Sequence, residues 1–290
     1  MTEKITYLVT NYNNEKYIGE CLQSIVNQSN QDWLCLVIDD ASTDGSVSVI
    51  SQFVNDKIKF IRNTENIDQV KSLKKLIDLS QTDIVCIVDS DDALHRDATE
   101  HVIKAFNTSK KIGFVYTNCI KYDEKLVTPL TIGLSQRIPF GPTSSIVNGY
   151  PGHLRCFRKS DYYKTSGYND DLLYAEDLDL GYKLEEVCLP YFINLFLYKH
   201  RRISGSRGRK TENRLIGYKN RALAKNLALR RRKVKGLSKI LIKLYIYSEY
   251  KACSYKVKKD KVKKYIMEIF MSTLKSIINK MHFKNIASSN

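Results

Sequence analysis

Short apolar runs alternate with segments of helical periodicity over the first 122 residues of the chain. The runs are hydrophobic almost without interruption, which is typical of parallel strands covered on both faces. In the segments between them, apolar residues recur at three- and four-residue spacing, the period of an amphipathic helix. The pattern predicts strands at Ile5–Val9, Trp33–Ile38, Ile58–Ile61, Ile84–Val88 and Phe114–Ile120, and helices at Tyr17–Val26, Ser46–Phe53, Val70–Leu79 and Thr99–Phe106. This alternation predicts an α/β fold with a doubly wound, mostly parallel sheet and helices on both faces.

The pattern changes after residue 122. Prolines and glycines between Pro129 and Gly152 predict a loop-rich section, followed by a helix near Asp177–Val187 and an apolar run at Tyr191–Tyr198. From about Leu215 the periodicity predicts helices only. Their apolar stripes are Leu237, Ile240, Leu241, Leu244 and Tyr245, and then Val262, Tyr265, Ile266, Ile269, Phe270, Leu274, Ile277 and Met281. We therefore expect a domain at residues 1–206, with halves 1–122 and 123–206, and a C-terminal amphipathic helical region at 207–290.

The net charge of +16 resides in that helical region. From Arg207 onward the chain holds 24 of its 47 Lys and Arg residues but only 4 of its 31 acidic residues. Helices with an apolar stripe and lysines on the other face suit an anionic membrane surface, which predicts such a partner for residues 215–290. The alternative is that the stripes pack on the first domain or on a second subunit.

Basic runs also occur in proteins that bind nucleic acids. Arg230–Lys233 and Lys256–Lys259 could contact phosphates, and they define a rival class of function. No recognised nucleic-acid motif accompanies them, and this hypothesis leaves the acidic clusters described below unexplained. We expect no nucleic-acid partner.

Cysteine usage and hydropathy bear on the compartment. The seven cysteines are widely spaced and include no Cys-x-x-Cys pair, which predicts neither a disulfide framework nor a zinc site. The N-terminal stretch lacks the features of a signal peptide, and no apolar run reaches the roughly 18 residues that span a bilayer. We expect a cytoplasmic protein that is at most peripheral on the inner face of the cell membrane.

Two aspartate clusters follow two of the predicted strands. Asp39 and Asp40 come after the second strand, and Asp89-Ser90-Asp91-Asp92 comes after the fourth. In open α/β sheets, ligands bind outside the carboxyl ends of the strands. Carboxylates placed there can bind Mg²⁺ or Mn²⁺ together with the phosphates of a substrate. The alternative is that these acids only form turns and cap helices, but such roles need fewer of them.

Three further positions could carry chemistry. Glu176-Asp177 could supply a general base for an incoming hydroxyl, or it could merely be favoured by a helix N-terminus. His200, beside two arginines, could bind a metal or help neutralise a diphosphate, although most such histidines lie on the surface. Thr10 and Tyr12, at the end of the first strand, could line a base pocket or form a plain turn.

In combination and in this order, these stretches resemble the family 2 glycosyltransferases, whose catalytic domain has the GT-A fold. The resemblance covers roughly residues 4–206 and is carried by YLVTNYNNEKYIGECLQSIVNQS, LCLVIDDASTDGS, VCIVDSDDAL, GHLRCFRKS, SGYNDDLLYAEDLDLGYKL and, loosely, YKHRRISGS. It implies a metal-dependent, inverting glycosyltransferase of the hexosyltransferase type. Such an enzyme moves a sugar from a nucleotide sugar to an acceptor hydroxyl in bacterial polysaccharide, lipopolysaccharide or capsule synthesis.

The resemblance also assigns roles by position. It implies that Thr10, Tyr12 and Asp40 line a uridine pocket, which makes a UDP-sugar the expected donor. Asp91 and Asp92 are the acids of the DXD metal motif, with Asp92 the more direct ligand of Mg²⁺ or Mn²⁺ and Asp91 also on the donor side. The remaining implied roles are Asp177 as catalytic base, His200 as a further metal ligand and Lys71 near the donor. Residues 1–122 are then the nucleotide-binding half and residues 123–206 the acceptor-side half, where a saccharide or lipid-linked saccharide binds.

A sugar-nucleotide nucleotidyltransferase is a closer rival than a nucleic-acid binder, because it also combines a metal with an α/β sheet. Such an enzyme would ordinarily have a glycine-rich phosphate loop near the first strand. The corresponding stretch, TNYNNEKY, contains no glycine.

Overall fold

The computed structural model describes residues 4–138, 144–148, 152–204 and 210–287. The strands are β1 (Ile5–Asn11), β2 (Trp33–Asp39), β3 (Ile58–Arg62), β4 (Ile84–Asp89), β5 (Ala93–Leu94), β6 (Ile112–Tyr122), β7 (Pro129–Gly133), β8 (Arg155–Arg158) and β9 (Leu189–Arg201). The helices are α1 (Glu15–Val26), α2 (Ser46–Ser51), α3 (Gln69–Leu79), α4 (Ala98–Thr108), α5 (Ser144–Asn148), α6 (Lys159–Tyr162), α7 (Glu176–Glu185), α8 (Thr211–Arg231), α9 (Gly236–Val257) and α10 (Lys261–Ala287). The predicted fold class, α/β with C-terminal helices, is confirmed.

The strands form one mixed sheet. Its first half is parallel, in the order β3-β2-β1-β4, as the alternation of strand and helix predicted. Beyond β4 the sheet continues through the antiparallel strand β8 to β6, which pairs in parallel with β9. The short strand β5 is antiparallel to β9, and β7 forms an antiparallel hairpin with β6. Sequence periodicity predicted none of β5, β7 and β8, and β7 lies in the section that the prolines and glycines predicted to be loop-rich.

The parallel half is covered on both faces, since every residue of the inner strand β1 is buried. In β1, Ile5, Tyr7 and Val9 share one buried cluster with side chains of α1 and α4. Successive strand residues point to opposite faces, so the alternate positions of β1 face away from that cluster. Helix α3, whose side chains do not enter this cluster in the described residues, lies against β1 and β2.

The register brings three strand ends level. Thr10 is the pairing partner of Asp89 on β4, and Asn11 is the partner of Asp39 on β2. Both aspartate clusters therefore begin at the same edge of the sheet, as expected for parallel strands. The loops that leave this edge hold most of the candidate residues.

Contacts divide the described chain into two compact units. The first contains residues 4–137, 152–168 and 187–204, and therefore the whole sheet. The second contains residue 138 and residues 144–148, 169–186 and 210–287, and therefore α5, α7, α8, α9 and α10. Helix α7 thus groups by contacts with the C-terminal helices, whereas the sequence assigns it to residues 123–206. The predicted boundary between residues 206 and 207 stays a prediction.

The apolar residues of α9 and of α10 fall into a buried set and an exposed set on each helix. Ile242, Tyr245, Ile246, Leu274 and Ile278 join a buried cluster with residues of α7 and α8. Leu237, Ile240 and Leu244, which the periodicity placed in one stripe with Tyr245, are exposed instead. None of the helices in the described residues combines the length and apolar character needed to cross a membrane.

Candidate functional site

Asp39 holds together the loops that follow β1 and β2. Its Oδ1 accepts hydrogen bonds from Asn11 Nδ2 (2.9 Å) and Ser42 Oγ (2.5 Å), and its Oδ2 accepts one from Ser42 N (2.9 Å). The backbone N–H of Asn13 donates to Ser42 Oγ at 2.9 Å. Asp39 is fully buried, and both of its oxygens accept hydrogen bonds from within the protein.

Asp40 has different surroundings from its neighbour. Its Oδ1 accepts hydrogen bonds from Asn63 Nδ2 (2.8 Å) and Ile67 N (3.0 Å). Its Oδ2 accepts none from the residues that the structure describes. Ala41 follows with φ of 62°, a left-handed conformation that turns the chain sharply after the two acids. Of the two acids, Asp40 is therefore the one with an oxygen available to a ligand.

The other predicted nucleotide-pocket residues differ in exposure. Thr10 is buried at the end of β1, level with Asp89. Tyr12, two residues further, leaves 47% of its surface exposed, as a ring that stacks on a ligand would. Lys71 lies on the first turn of α3 with an exposed side chain. No contact among the described residues ties Lys71 to the acidic motif.

Asp92 is the most enclosed acid of the motif after β4, with 1% of its surface exposed. Its Oδ1 accepts a hydrogen bond of 2.6 Å from the backbone N–H of Arg201, and its Oδ2 lies 3.2 Å from His200 Nδ1. Burial would lower the pKa of His200, but the hydrogen bond and charge of Asp92, with the charges of Asp89 and Asp91, outweigh it and raise that pKa. The two predicted metal ligands, Asp92 and His200, are therefore neighbours.

A third potential ligand, His153, completes this group. One ligand atom each from Asp92, His153 and His200 lies within 4.8 Å of the others. The two imidazole rings stack with centroids 4.9 Å apart, and His153 also stacks on Tyr198 at 4.6 Å. Three donor atoms converging at this distance, two nitrogens and one oxygen, fit a divalent transition metal. Sequence reasoning missed His153, although it lies in the GHLRCFRKS stretch that carries the family resemblance.

Asp91 lies outside that group but shares its electrostatics. Burial, and then the negative charges of Asp92 and Asp89, raise the pKa of Asp91 to about 7. Asp91 therefore holds a proton more readily than an ordinary carboxyl group does. Its two acidic neighbours are paired within the protein, Asp89 with Arg155 at 3.6 Å and Asp92 with His200 at 3.2 Å.

Arg201 ties the acidic motif to surrounding elements. The side chain is almost fully buried, and its Nε donates to the carbonyl oxygen of Asp91 at 2.5 Å. One terminal nitrogen donates to the carbonyl oxygen of Glu124, and the other pairs with Glu20 on α1 at 2.7 Å. The guanidinium also lies over the ring of Tyr17, 4.8 Å from its centroid. The guanidinium of Arg201 is therefore occupied by contacts within the protein.

Asp177 lies in the second unit, on the first turn of α7. Its Oδ1 accepts a hydrogen bond of 2.7 Å from Leu178 N, and its side chain is half-buried. Asp179, two residues further along α7, is fully buried and pairs with Lys183 at 2.7 Å and Arg231 at 3.2 Å. Asp179 therefore stabilises the fold, whereas Asp177 retains partial access to solvent.

Residues 6–164, more than half of the chain, match the model of the family described as "Glycosyl transferase family 2". The chain belongs to this family. The enzyme is therefore a glycosyltransferase, and the match contains both aspartate clusters and His153. The resemblance drawn from the motifs is confirmed.

Curated relatives agree on the class. EpsE of Bacillus subtilis (strain 168), described as a glycosyltransferase, is 28% identical over 217 residues, which are 72% of this chain and 76% of EpsE. The chondroitin synthase of Pasteurella multocida (strain Pm70) is 25% identical over 247 residues, which are 79% of this chain but 24% of that protein. The chain thus spans most of EpsE and a quarter of the larger synthase.

Two solved structures share the fold. S. aureus TarS 1-349 in complex with UDP-GlcNAc matches with a TM-score of 0.62 at 15% identity, over 97% of this chain and 92% of that one. The mannosyltransferase PcManGT from Pyrobaculum calidifontis, in complex with GDP-Man and Mn²⁺, matches with a TM-score of 0.62 at 16% identity, over 100% and 89%. At this identity the likeness shows the fold alone, and it agrees with the predicted GT-A type.

Proposed function

We propose that the enzyme uses a divalent metal and a UDP-sugar to glycosylate an acceptor hydroxyl, with inversion at the sugar's anomeric carbon. The observation that carries this proposal is the convergence of Asp92, His153 and His200 at the sheet edge where Asp40 also lies. Nucleotide sugars and, in one case, Mn²⁺ are present in the structural neighbours described above. We carry both to this chain as proposals.

The metal ligands in this proposal are Asp92, His200 and His153, with Asp91 beside them facing the donor. When bound, a divalent cation neutralises negative charge on the leaving nucleoside diphosphate. Of the two predicted cations, Mn²⁺ fits better, because Mg²⁺ prefers oxygen ligands and gives up its waters reluctantly. The imidazole nitrogens of this donor set therefore favour Mn²⁺.

The nucleotide is held by Thr10, Tyr12 and Asp40. Uracil carries an imide N–H, and the second oxygen of Asp40 is an acceptor available for it. The exposed ring of Tyr12 offers a surface for base stacking, and Lys71 supplies a positive charge on the donor side. A cytosine ring lacks that N–H, so Asp40 would select UDP over CDP.

Asp177 is the proposed general base. It removes the proton from the acceptor hydroxyl as that oxygen attacks the anomeric carbon on the face opposite the leaving diphosphate. A single displacement of this kind inverts the anomeric centre and needs no enzyme nucleophile. The bond formed is acceptor oxygen to carbon, and the bond broken is carbon to phosphate oxygen.

The acceptor is proposed to be a growing saccharide of the bacterial surface, such as a polysaccharide, lipopolysaccharide or capsule chain, free or lipid-linked. Relatives named as a chondroitin synthase and as a teichuronic acid biosynthesis glycosyltransferase support this class of acceptor. The basic excess after Arg207 supports a location at an anionic membrane surface, on its cytoplasmic side.

Calorimetric titration of UDP, GDP and dTDP, each with Mn²⁺, with Mg²⁺ and with EDTA, tests the proposal. We expect the wild type to bind UDP in a Mn²⁺-dependent way and Asp92→Asn to lose that dependence. Asp56→Asn removes an exposed carboxylate outside the site and should match the wild type. Equal binding by wild type and Asp92→Asn, or preference for GDP, would contradict the metal site or the donor assignment respectively.

A further inference from the structure

Large apolar side chains cover the outer surface of the last two helices. We call this set the outer face; its ten members expose between 40% and 71% of their surface. On α9 they recur at helical spacing, and on α10 they do so over more than four turns. The outer face consists of Leu237, Ile240, Leu244 and Tyr247 on α9 and Val262, Tyr265, Ile266, Ile269, Phe270 and Ile277 on α10.

The outer face is not needed to hold these helices in place. Other residues of the same helices, including Ile242, Ile246 and Ile278, already fill the buried cluster of the second unit. A helix with apolar residues on two sides is characteristic of a second apolar environment. Exposed large apolar side chains that recur along a helix mark interaction surfaces, whereas single scattered ones do not.

Positive charge surrounds the outer face. Lys243 on α9, Lys258 and Lys259 after it, and Lys261 and Lys280 on α10 are exposed. The acids of this region are neutralised within the protein, since Glu249 pairs with Lys225, Asp260 with Lys263 and Glu268 with Lys264. A ligand for the outer face therefore has to combine apolar groups with negative charge.

We infer that the outer face inserts into the interfacial layer of an anionic bilayer, with its apolar side chains at the acyl boundary and its lysines at the lipid phosphates. This deepens the proposed membrane location by naming the contacting residues, and it makes apolar insertion rather than charge the main attachment. A second copy of the chain fits less well, because two lysine-bordered faces would repel each other.

Vesicle co-sedimentation of the full chain tests this inference, with vesicles of phosphatidylglycerol and phosphatidylcholine in equal parts or of phosphatidylcholine alone. The test variant is the triple Val262→Gln, Ile266→Gln, Ile269→Gln, which removes apolar surface without changing charge. The matched control is the triple Val127→Gln, Ile132→Gln, Leu134→Gln, which makes the same change at exposed apolar residues of the first unit.

We expect the outer-face triple to lose anionic-vesicle binding about tenfold or more while the control triple binds like the wild type. In a separate chain carrying Phe270→Trp, a blue shift of tryptophan fluorescence with anionic vesicles would report insertion directly, because Trp33 is buried. Unchanged helical content by far-ultraviolet circular dichroism, with an unchanged thermal unfolding midpoint, shows that the helices of the variants are folded.

Three results would overturn the inference. If the outer-face triple binds anionic vesicles as strongly as the wild type does, and salt abolishes that binding, lysines alone make the contact. A wild-type dimer that the triple converts to a monomer would assign the face to a second copy. Failure of the wild type to bind any vesicle while UDP binding persists would reject the membrane partner and leave the glycosyl-transfer proposal standing.

Discussion

The backbone N–H of Arg201 donates a 2.6 Å hydrogen bond to Oδ1 of Asp92, the most enclosed acid of the motif after β4. Arg201 directly follows His200 on β9, and successive strand side chains point to opposite sides. One strand end therefore places His200 beside Asp92 in the proposed ligand group and anchors the acidic loop through the side chain of Arg201. Orientation of this kind, exerted from outside the ligand set, strongly affects metal affinity.

Arg201→Lys should weaken Mn²⁺ binding about tenfold, because lysine cannot reach Asp91, Glu124 and Glu20 together. Direct Mn²⁺ titration by electron paramagnetic resonance measures this without relying on activity. Arg202→Lys is the control, since Arg202 is exposed. Unchanged Mn²⁺ affinity in Arg201→Lys would show that the loop holds its conformation without the guanidinium.

His153→Ala should lower affinity for Mn²⁺ more than affinity for Mg²⁺, because the variant removes a nitrogen donor that Mg²⁺ uses poorly. Competition titrations of the two ions against wild type and variant measure the ratio. His101→Ala, on α4 and away from the ligand group, controls for a general effect of losing a histidine. An equal loss for both ions would place His153 outside the metal's coordination.

Asp39→Asn and Asp40→Asn make the same chemical change and should give opposite outcomes. In Asp39 both oxygens are acceptors, so an amide there sets an N–H against Ser42 N or Oγ and should cost about 1–3 kcal/mol of stability. In Asp40 an amide keeps the bonded Oδ1 and changes only Oδ2. Thermal unfolding should show the loss of stability in Asp39→Asn, and UDP titration should show the loss of affinity in Asp40→Asn. An Asp39→Asn variant as stable as the wild type would refute the different roles of the two acids.

Asp177→Asn should reduce kcat about a thousandfold while leaving UDP affinity unchanged, as expected for loss of a general base. Single-turnover kinetics with a saccharide acceptor measures the chemical step separately from product release. Asp171→Asn, an exposed acid of the same unit, should behave as the wild type. A parallel loss in both variants would instead indicate a structural change in this segment.

Stability should fall at acid pH partly through Asp83. Burial opposes ionisation, but hydrogen bonds from the Ser160 backbone and hydroxyl and from Arg158 outweigh it and hold the pKa of Asp83 below its usual range. A lowered folded-state pKa gives stability that is present above the unfolded pKa of about 4 and is lost as the pH falls below it. In urea unfolding, Asp83→Asn should therefore lose less stability than the wild type between neutral and acid pH. Asp56→Asn should lose as much as the wild type.

Much of the fold could be predicted because the parallel half is built from consecutive elements. Each strand from β1 to β4 is a continuous apolar run, and each is joined to the next by an amphipathic helix. Strand β8 escaped prediction because its four residues pair with β4, about seventy positions earlier. Periodicity carries no signal for such a pairing.

The same reason limited the candidate site. Asp40, Asp91, Asp92 and His200 were found from motifs, and the close approach of Asp92 and His200 is visible only in three dimensions. His153 was missed because it precedes β8, and its distance from His200 depends on the unpredicted strand order. The division of the α9 stripe was missed because a helix with apolar residues on two sides has no single face to detect.

The arginines at the end of α8 give the basic tail a consequence for enzyme preparation. Arg231 pairs with Asp179 and Glu186 of the segment around α7, and Arg232 pairs with Glu185 and Glu186. A shortened protein ending near residue 206, made to improve solubility, would lose every one of these ion pairs. It would keep the loops after β1, β2 and β4 yet lose these partners of the segment around α7, on which Asp177 lies. With the roles proposed above for Asp40 and Asp177, such a fragment should bind UDP and fail to transfer the sugar.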